Sequence, residues 1–339
     1  MDLDVLFVGT AGSAPSARRG LPATLVRRAG DRLLFDCGEG TQRQLVRSIG
    51  LIELEEVFLT HFHADHVLGL PGMLKTFSLR QRERPLTVHG PPGLGDLFRL
   101  LGPLIGRLSF PLELVELEAN DELDRDGYRI AAYSSDHVPG SVGYAVVEDA
   151  RPGVFDPARA KELGVTPGPD FGRLQGGETV NGVQPDQVMG AERRGRTVVI
   201  TGDTAPCDMT RLVSWEADLI VHEATFLDDE AERAAETRHS TARGAARLAA
   251  EAGVRMLALT HVSPRYGGHE LRDEARAAFA AELGEEARAV SDRVIVPRDF
   301  DRVEIPFPER GAPLHVKAAD RPPTPELSPA EAGGEWSSR

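Results

Sequence analysis

The sequence predicts an α/β layered domain, and three observations predict it. Short apolar runs rich in β-branched residues and leucine recur along the chain and end in polar or glycine-rich turns, as buried strands do. Helical patterns lie between several of these runs. The 339 residues, 41% hydrophobic and 27% charged, are enough to bury a large core.

In chain order, residues 4–8 (DVLFV), 32–35 (RLLF), 56–59 (EVFL), 197–200 (TVVI), 218–221 (DLIV) and 255–259 (RMLAL) read as strands. A helix is expected from near Pro71, a tolerated first-turn proline, with Leu70, Leu74 and Phe77 on one face. Residues 241–252 fill a high-propensity stretch with alanine, arginine and leucine, and a further helix over 270–283 ends at Gly284. Residues 151–192 break the pattern, because glycine and proline recur there with no sustained apolar period. Within them Asp156, Pro157 and Gly164 can start, prime and stop one short helix. A plain surface loop is the simplest account, but structureless loops beyond about 12 to 15 residues are uncommon and often functional. After Pro306 the chain turns rich in proline, alanine and glutamate, so residues 306–339 read as a disordered tail.

Composition excludes several classes. No stretch approaches the roughly 18 apolar residues of a membrane span, and the start, MDLDVLFVGTAGS, lacks the basic flank of a secretory signal, so the expected location is the cytoplasm. Two cysteines, Cys37 and Cys207, cannot build a disulfide framework, a zinc ribbon or an iron-sulfur cluster. Any metal must be held by histidine and carboxylate. A net charge of −14 opposes indiscriminate binding to polyanions but leaves room for a local basic patch.

The strongest chemical signal is Thr60-His61-Phe62-His63-Ala64-Asp65-His66, directly after the strand-like EEVFL. Three imidazoles and a carboxylate at a strand end converge on one point, and a borderline-soft cation such as Zn²⁺ takes that ligand set. The run can serve two ions, each still short of ligands. Ser135-Asp136-His137, Thr201-Gly202-Asp203 and Thr260-His261 repeat the arrangement of apolar strand followed by ligand, and Asp203 has two oxygens with which to bridge. For a solitary histidine at a strand end the default is a hydrogen-bonded structural role, which applies to His137, His261 and His239 alike. Gly9 to Ser13 superficially resembles a phosphate cradle but matches neither nucleotide fingerprint, so it reads as a strand-to-loop turn lining the cleft.

These motifs resemble the metallo-β-lactamase superfamily and, in order and wording, its ribonuclease Z family. The match runs from about Leu3 to Pro306 through FVGTAGSAPS, FDCGEGTQRQL, THFHADHVLGLPG, DHVPGSVGY, TGDT, HEATF, HSTARGAA and THVSPRY. HxHxDH marks only the superfamily, whereas HEATF, HST and PGPDFGRLQGGE are more specific. The resemblance implies a four-layer αββα sandwich in a catalytic domain of residues 1–305, with 151–192 an inserted flexible arm that grips tRNA. It implies two Zn²⁺ per subunit, precursor tRNA as partner and a homodimer. His61, His63 and His137 would hold one ion and Asp65, His66 and His261 the other, with Asp203 between. Asp65 would also accept a proton, and His239 would act in catalysis with Glu223 supporting it. In the arm, Pro167, Gly168, Pro169, Phe171, Gly172 and Arg173 would meet RNA, although Asp170 and Gln175 stand where the family is often basic. Arginine clusters at Arg18 and Arg19, at Arg80, Arg82 and Arg84, and at Arg193, Arg194 and Arg196 could compensate; each also reads as a solvated face.

The activity expected is removal of the 3′ trailer from precursor tRNA. A phosphodiesterase for small substrates would use the same ions without needing the arm. A di-iron redox protein is disfavoured by His63, where such relatives usually carry a carboxylate, and the complete ligand set argues against a non-catalytic RNA-binding subunit.

Overall fold

A computed structural model describes residues 2–50 and 54–318. The first half of the chain builds one sheet from β1 (Leu3–Gly9), β2 (Ala23–Arg28), β3 (Asp31–Phe35), β4 (Glu56–Phe58), β5 (Leu86–Gly90) and β6 (Leu112–Glu116). The second builds another from β7 (Glu122–Arg125), β8 (Tyr128–Ser134), β9 (Val142–Glu148), β10 (Thr197–Ile200), β11 (Leu219–Glu223), β12 (Leu257–Thr260) and β13 (Val294–Ile295). β14 (Arg302–Glu304) and β15 (Leu314–Val316) then return to the β1 edge of the first sheet.

The run DVLFV shows why the sheets stack. Leu3, Val5 and Phe7 face the second sheet, where they pack with Tyr144, Val146, Val198 and Val221. Leu6 and Val8, on the opposite face, pack under helices with Leu45, Leu70 and Leu74. A strand covered on both sides needs apolar residues at every position, which is why such runs are continuous rather than alternating. Truncating the fully buried Phe7 to alanine would cost about 3 to 5 kcal/mol.

Helices α1 (Thr41–Ser48), α2 (Ala64–Val67), α3 (Gly69–Leu79) and α4 (Leu94–Ile105) occur among the strands of the first sheet. α5 (Pro157–Glu162) and α6 (Pro169–Gln175) lie in the insert; α7 (Asp208–Val213), α8 (Ala231–Thr237), α9 (Ala242–Glu251) and α10 (Gly268–Leu283) occur among the strands of the second sheet. Alanines of α9 and α10 let these two helices pack closely over Val199, Ile220 and Leu257. The order helix, sheet, sheet, helix is the expected four-layer sandwich. Thr241 caps α9 by accepting from Gly244 N–H at 3.0 Å, and Gly284, at φ 67°, ends α10 as expected.

Two expectations change. The tail does not begin at residue 306, because Leu314–Val316 pairs with β14 and His315 Nε2 lies 2.9 Å from Asp301 Oδ2. Edge pairing supplies the backbone partners that composition cannot reveal. The remainder of that expectation, residues 319–339, lies outside the described residues. The insert, in turn, has a core of its own: Ala160, Val165, Leu174, Val180, Val183 and Val188 are buried together. Asp156 caps α5 through Ala158 and Arg159 N–H, both at 2.9 Å.

β9 and β10 pair antiparallel, Thr197 opposite Val147 and Ile200 opposite Tyr144. The insert therefore leaves one end of this pair, while His137 precedes and Asp203 follows it at the other. A strand of seven residues separates the two by roughly 20 Å.

Candidate metal centre and active site

In both sheets the parallel strands end on the same rim, and the loops after strand carboxyl ends are where α/β proteins place ligands. The loop after β4 carries His61 and His63, and the single turn of α2 carries Asp65 and His66. His137 comes from the loop between β8 and β9, Asp203 follows β10, and His261 follows β12 with φ 57°. Two glycines make the crowding possible. A Cβ on Gly12 would meet the His261 ring at 2.3 Å, and one on Gly202, itself at φ 61°, would meet Thr60 at 2.6 Å.

All seven expected ligands come together. His61, His63, His137 and Asp203 form one group, and Asp65, His66 and His261 another, with ligand atoms in each group within 4.8 Å of one another. Asp203 sits between: Oδ1 is 3.3 Å from His66 Nε2, and Oδ2 is 3.3 Å from His261 Nε2, 3.8 Å from His61 Nε2 and 3.9 Å from His137 Nε2. Asp65 Oδ2 lies 3.4 Å from His261 Nε2 and accepts from Ser13 N–H at 2.9 Å. His61 Nε2, His66 Nε2 and Asp203 Oδ1 are buried without a hydrogen-bond partner. Buried lone pairs aimed at one another call for a cation among them, so the residues fit divalent metal. Charge agrees. Burial opposes ionisation of Asp203, but His261 and His66 outweigh it and hold the carboxyl well below its ordinary range. Burial also opposes a charged His66, yet Asp203 and Asp36 raise it well above the usual imidazole value, so a divalent cation at Nε2 would take the place of a proton there, while burial and the neighbouring His66 push His61 down.

Other residues aim these rings. His66 Nδ1 lies 2.8 Å from Asp36 Oδ2, His61 Nδ1 3.0 Å from Thr60 Oγ1, His137 Nδ1 3.0 Å from the Arg238 carbonyl, and His261 Nδ1 2.7 Å from Thr225 Oγ1. Each contact occupies Nδ1 and leaves Nε2 for metal. His63 differs, for its Nδ1 is the atom near the group, 3.2 Å from His137 Nε2. Asp36, Thr60 and Thr225 were not expected from the sequence as site residues. Asp36 does carry a signal, an acidic residue ending the apolar run RLLF, but nothing local says which ring it meets.

His239 Nδ1 lies 2.7 Å from Glu223 Oε1, and Glu223 is fully buried at the end of β11. Burial works against a charged His239; Glu223 outweighs it and raises the pKa to about 9. His239 Nδ1 is also 3.9 Å from Asp203 Oδ2, so this pair borders the ligand cluster. The reading of Gly9 to Ser13 as a cleft turn agrees with the contacts of Gly12 and Ser13. Cys37 is buried, which pushes its thiol up to about 12 and makes it inert.

The expected RNA-contact residues of the arm run from just before α6 into its last turn, where Arg173 lies. Gly168, at φ 139°, precedes the helix, and Phe171 packs on Phe155 with ring centroids 4.9 Å apart. Exposed Arg173 is held by Glu178 at 2.8 Å and Asp170 at 3.3 Å. The arginine clusters are less available than their composition suggests. Arg196 is buried and bonded to both oxygens of Glu148 at 2.7 and 2.8 Å, Arg194 binds Asp218, and Arg193 binds Glu309. That cluster braces the base of the insert. Arg82 donates to the carbonyls of Arg84 and Pro85, and Arg19 to Thr10 and Pro297; in these two clusters Arg18, Arg80 and Arg84 are exposed, with Arg84 3.9 Å from Glu55.

Stacked mixed sheets with a histidine and aspartate cluster on one rim define the class, and the model of the Metallo-beta-lactamase superfamily matches residues 19–261. Ribonuclease Z of Natronomonas pharaonis is 46% identical over 318 residues, covering 91% of this chain and 100% of its own length. That of Methanosarcina acetivorans is 42% identical over 313 residues, covering 90% and 99%. The crystal structure of human tRNase Z, short form, is similar with a TM-score of 0.63 at 28% identity, covering 89% of this chain and 99% of that one. The chain belongs to the ribonuclease Z family.

Proposed function

We propose that this protein is an endoribonuclease that removes the 3′ trailer from precursor tRNA, leaving a 3′-hydroxyl on the tRNA and a 5′-phosphate on the trailer. The observation that carries the reading is the seven-ligand cluster bordered by the His239–Glu223 pair, on a chain with ribonuclease Z relatives along nine-tenths of its length. The site would take two Zn²⁺, with His61, His63 and His137 holding one, Asp65, His66 and His261 the other, and Asp203 available to both. When bound, such ions activate water at neutral pH and neutralise charge on a phosphodiester.

The chain's own groups then complete the reaction. Asp65, fixed by Ser13 N–H, orients the attacking water and takes its proton. The P–O3′ bond breaks, and His239, held charged by Glu223, delivers a proton to the departing O3′. Residues 151–192 bind tRNA away from the break through the start of α6. The protein works as a homodimer in the cytoplasm; exposed Leu100 and Leu104, one turn apart on α4, support a buried interface. Among the described residues no helix is long and apolar enough to cross a membrane.

Incubating the protein with a 3′-extended tRNA precursor and sequencing both products tests the reading. Cleavage at the tRNA end with the stated termini supports it. Hydrolysis of small phosphodiesters with the precursor left intact would favour the small-substrate alternative.

A further inference from the structure

Thr225 touches both halves of the site. Its Oγ1 lies 2.7 Å from Glu223 Oε2 and 2.7 Å from His261 Nδ1, and the residue is buried. A hydroxyl has one proton, and an ionised carboxylate can only accept. Both Glu223 oxygens accept backbone N–H groups, Oε1 from Thr204 at 3.0 Å and Oε2 from Thr225 at 3.1 Å, as the oxygens of an ionised carboxylate do. The Thr225 proton therefore goes to Glu223, and Oγ1 accepts from His261 Nδ1–H. That leaves His261 Nε2 as a lone pair facing Asp203 and Asp65. The other carboxylate oxygen, Oε1, accepts from His239 Nδ1–H at 2.7 Å and from Thr204 N–H at 3.0 Å.

The first sheet carries the same device. Asp36 takes His66 Nδ1–H directly at 2.8 Å and the Thr60 hydroxyl at 3.0 Å, and Thr60 in turn lies 3.0 Å from His61 Nδ1. Each carboxylate thus directs one imidazole itself and a second through a threonine. The two devices differ in what they serve, because Asp36 reaches two ligands, whereas Glu223 reaches one ligand and the imidazole next to the ligand cluster.

We infer that Thr225 is a positioning residue whose hydroxyl ties the metal ligand His261 to the carboxylate that holds His239, so that metal retention and the placement of His239 depend on one side chain. This rests on the metal reading above. Valine at 225 keeps the volume and removes the hydroxyl between His261 Nδ1–H and Glu223 Oε2, leaving the imidazole N–H unpaired and the carboxylate oxygen with only the backbone N–H of residue 225; serine restores the hydroxyl. Because outer partners of metal ligands typically change affinity by about 10- to 100-fold, the effect is measurable without turnover.

The test is a graded chelator titration of the full chain and its T225V, T225A and T225S forms, with released metal read by elemental analysis. Unaltered protein in the same titration reads the metal assignment itself, which keeps the two questions apart. The expected result is that T225V and T225A release one equivalent at about 10- to 100-fold lower chelator than the unaltered chain and keep the other, while T225S behaves as unaltered. kcat on precursor tRNA falls in T225V with KM unchanged. Should T225V misfold, T225A and T225S carry the comparison. Unaltered retention in T225V or T225A, or a T225S as defective as T225V, would overturn the inference, the latter by showing that the methyl group matters and the hydroxyl does not.

Discussion

The metal centre and the insert grow from opposite ends of the same strand pair, β9 and β10, and they are built in opposite ways. At one end functional side chains are held mostly by residues from other loops, as His137 is by Arg238, His261 by Thr225 and His66 by Asp36. At the other, residues 151–192 hold themselves, with a private apolar core and a stalk pinned by the bridges Arg151 to Arg193 and Phe155 to Met189. The lesson concerns tolerance. A network in which each partner positions the next is sensitive to single atoms, whereas a self-contained module is sensitive mainly to its removal as a unit.

The contrast predicts its largest effect at Asp203. D203A removes the carboxylate shared by both ligand groups and leaves facing imidazoles with no anion between them, so both metal equivalents should be weakened. Since metal contributes several kcal/mol to the transition state, kcat should fall by roughly 10⁴-fold or more. Elemental analysis showing full metal in an inactive D203A would break the ligand assignment. A smaller effect is expected at His239. H239A should lower kcat by about 10²- to 10⁴-fold through loss of the proton donor, while metal content and KM stay as they were. Equal loss of metal in H239A would merge the acid with the ligand set and erase that distinction.

How much of each region was legible follows from the same contrast. HxHxDH is compact in sequence, and β4 fixes where it ends, so its ligands could be read directly. Asp36 and Thr225 could not, because the imidazoles they hold lie 30 and 36 residues away and meet them only when strand ends align; Thr60 adjoins His61, but the carboxylate that orients its hydroxyl, Asp36, lies 24 residues back. Arg196 was misread for the same reason. Its charge suggested phosphate, while the carboxylate that binds it, Glu148, sits across a 48-residue separation. The insert was legible as a break in periodicity, and α5 by its cap and proline. Its core was not, since valines and alanines spaced by turns carry no regular period.

Excision of the insert sharpens the comparison at intermediate size. Gly153 and Gly190 approach so closely that a Cβ on the former would meet the Gly190 carbonyl at 1.9 Å, so joining them closes the chain without stretching it. Deleting residues 154–189 should raise KM for precursor tRNA by about 10- to 100-fold, which corresponds to roughly 1.4 to 2.8 kcal/mol of lost binding. Hydrolysis of a small chromogenic phosphodiester should continue at its former rate, because the excised module lies at the far end of β9 and β10 from Asp203. Equal loss on both substrates would show that the two ends communicate.

The smallest expected effect is a gain. Arg173 is exposed at the end of α6, yet its guanidinium is drawn toward Glu178 and Asp170, so any phosphate it meets must compete with two carboxylates. D170N removes one competitor without touching the insert's apolar core, and an exposed ion pair of this kind contributes little to folding. If Arg173 meets the tRNA backbone, D170N should bind precursor about two- to fivefold more tightly at low salt. The plot of log affinity against log salt should steepen by less than one unit, because one contact releases at most about one counterion. The gain should be alike for different tRNA species, since phosphate contacts carry no sequence information. Filter binding across salt concentrations measures both quantities. Identical slope and affinity in D170N would mean that Arg173 does not face phosphate, and the exposed Arg18, Arg80 and Arg84 would become the next arginines to replace.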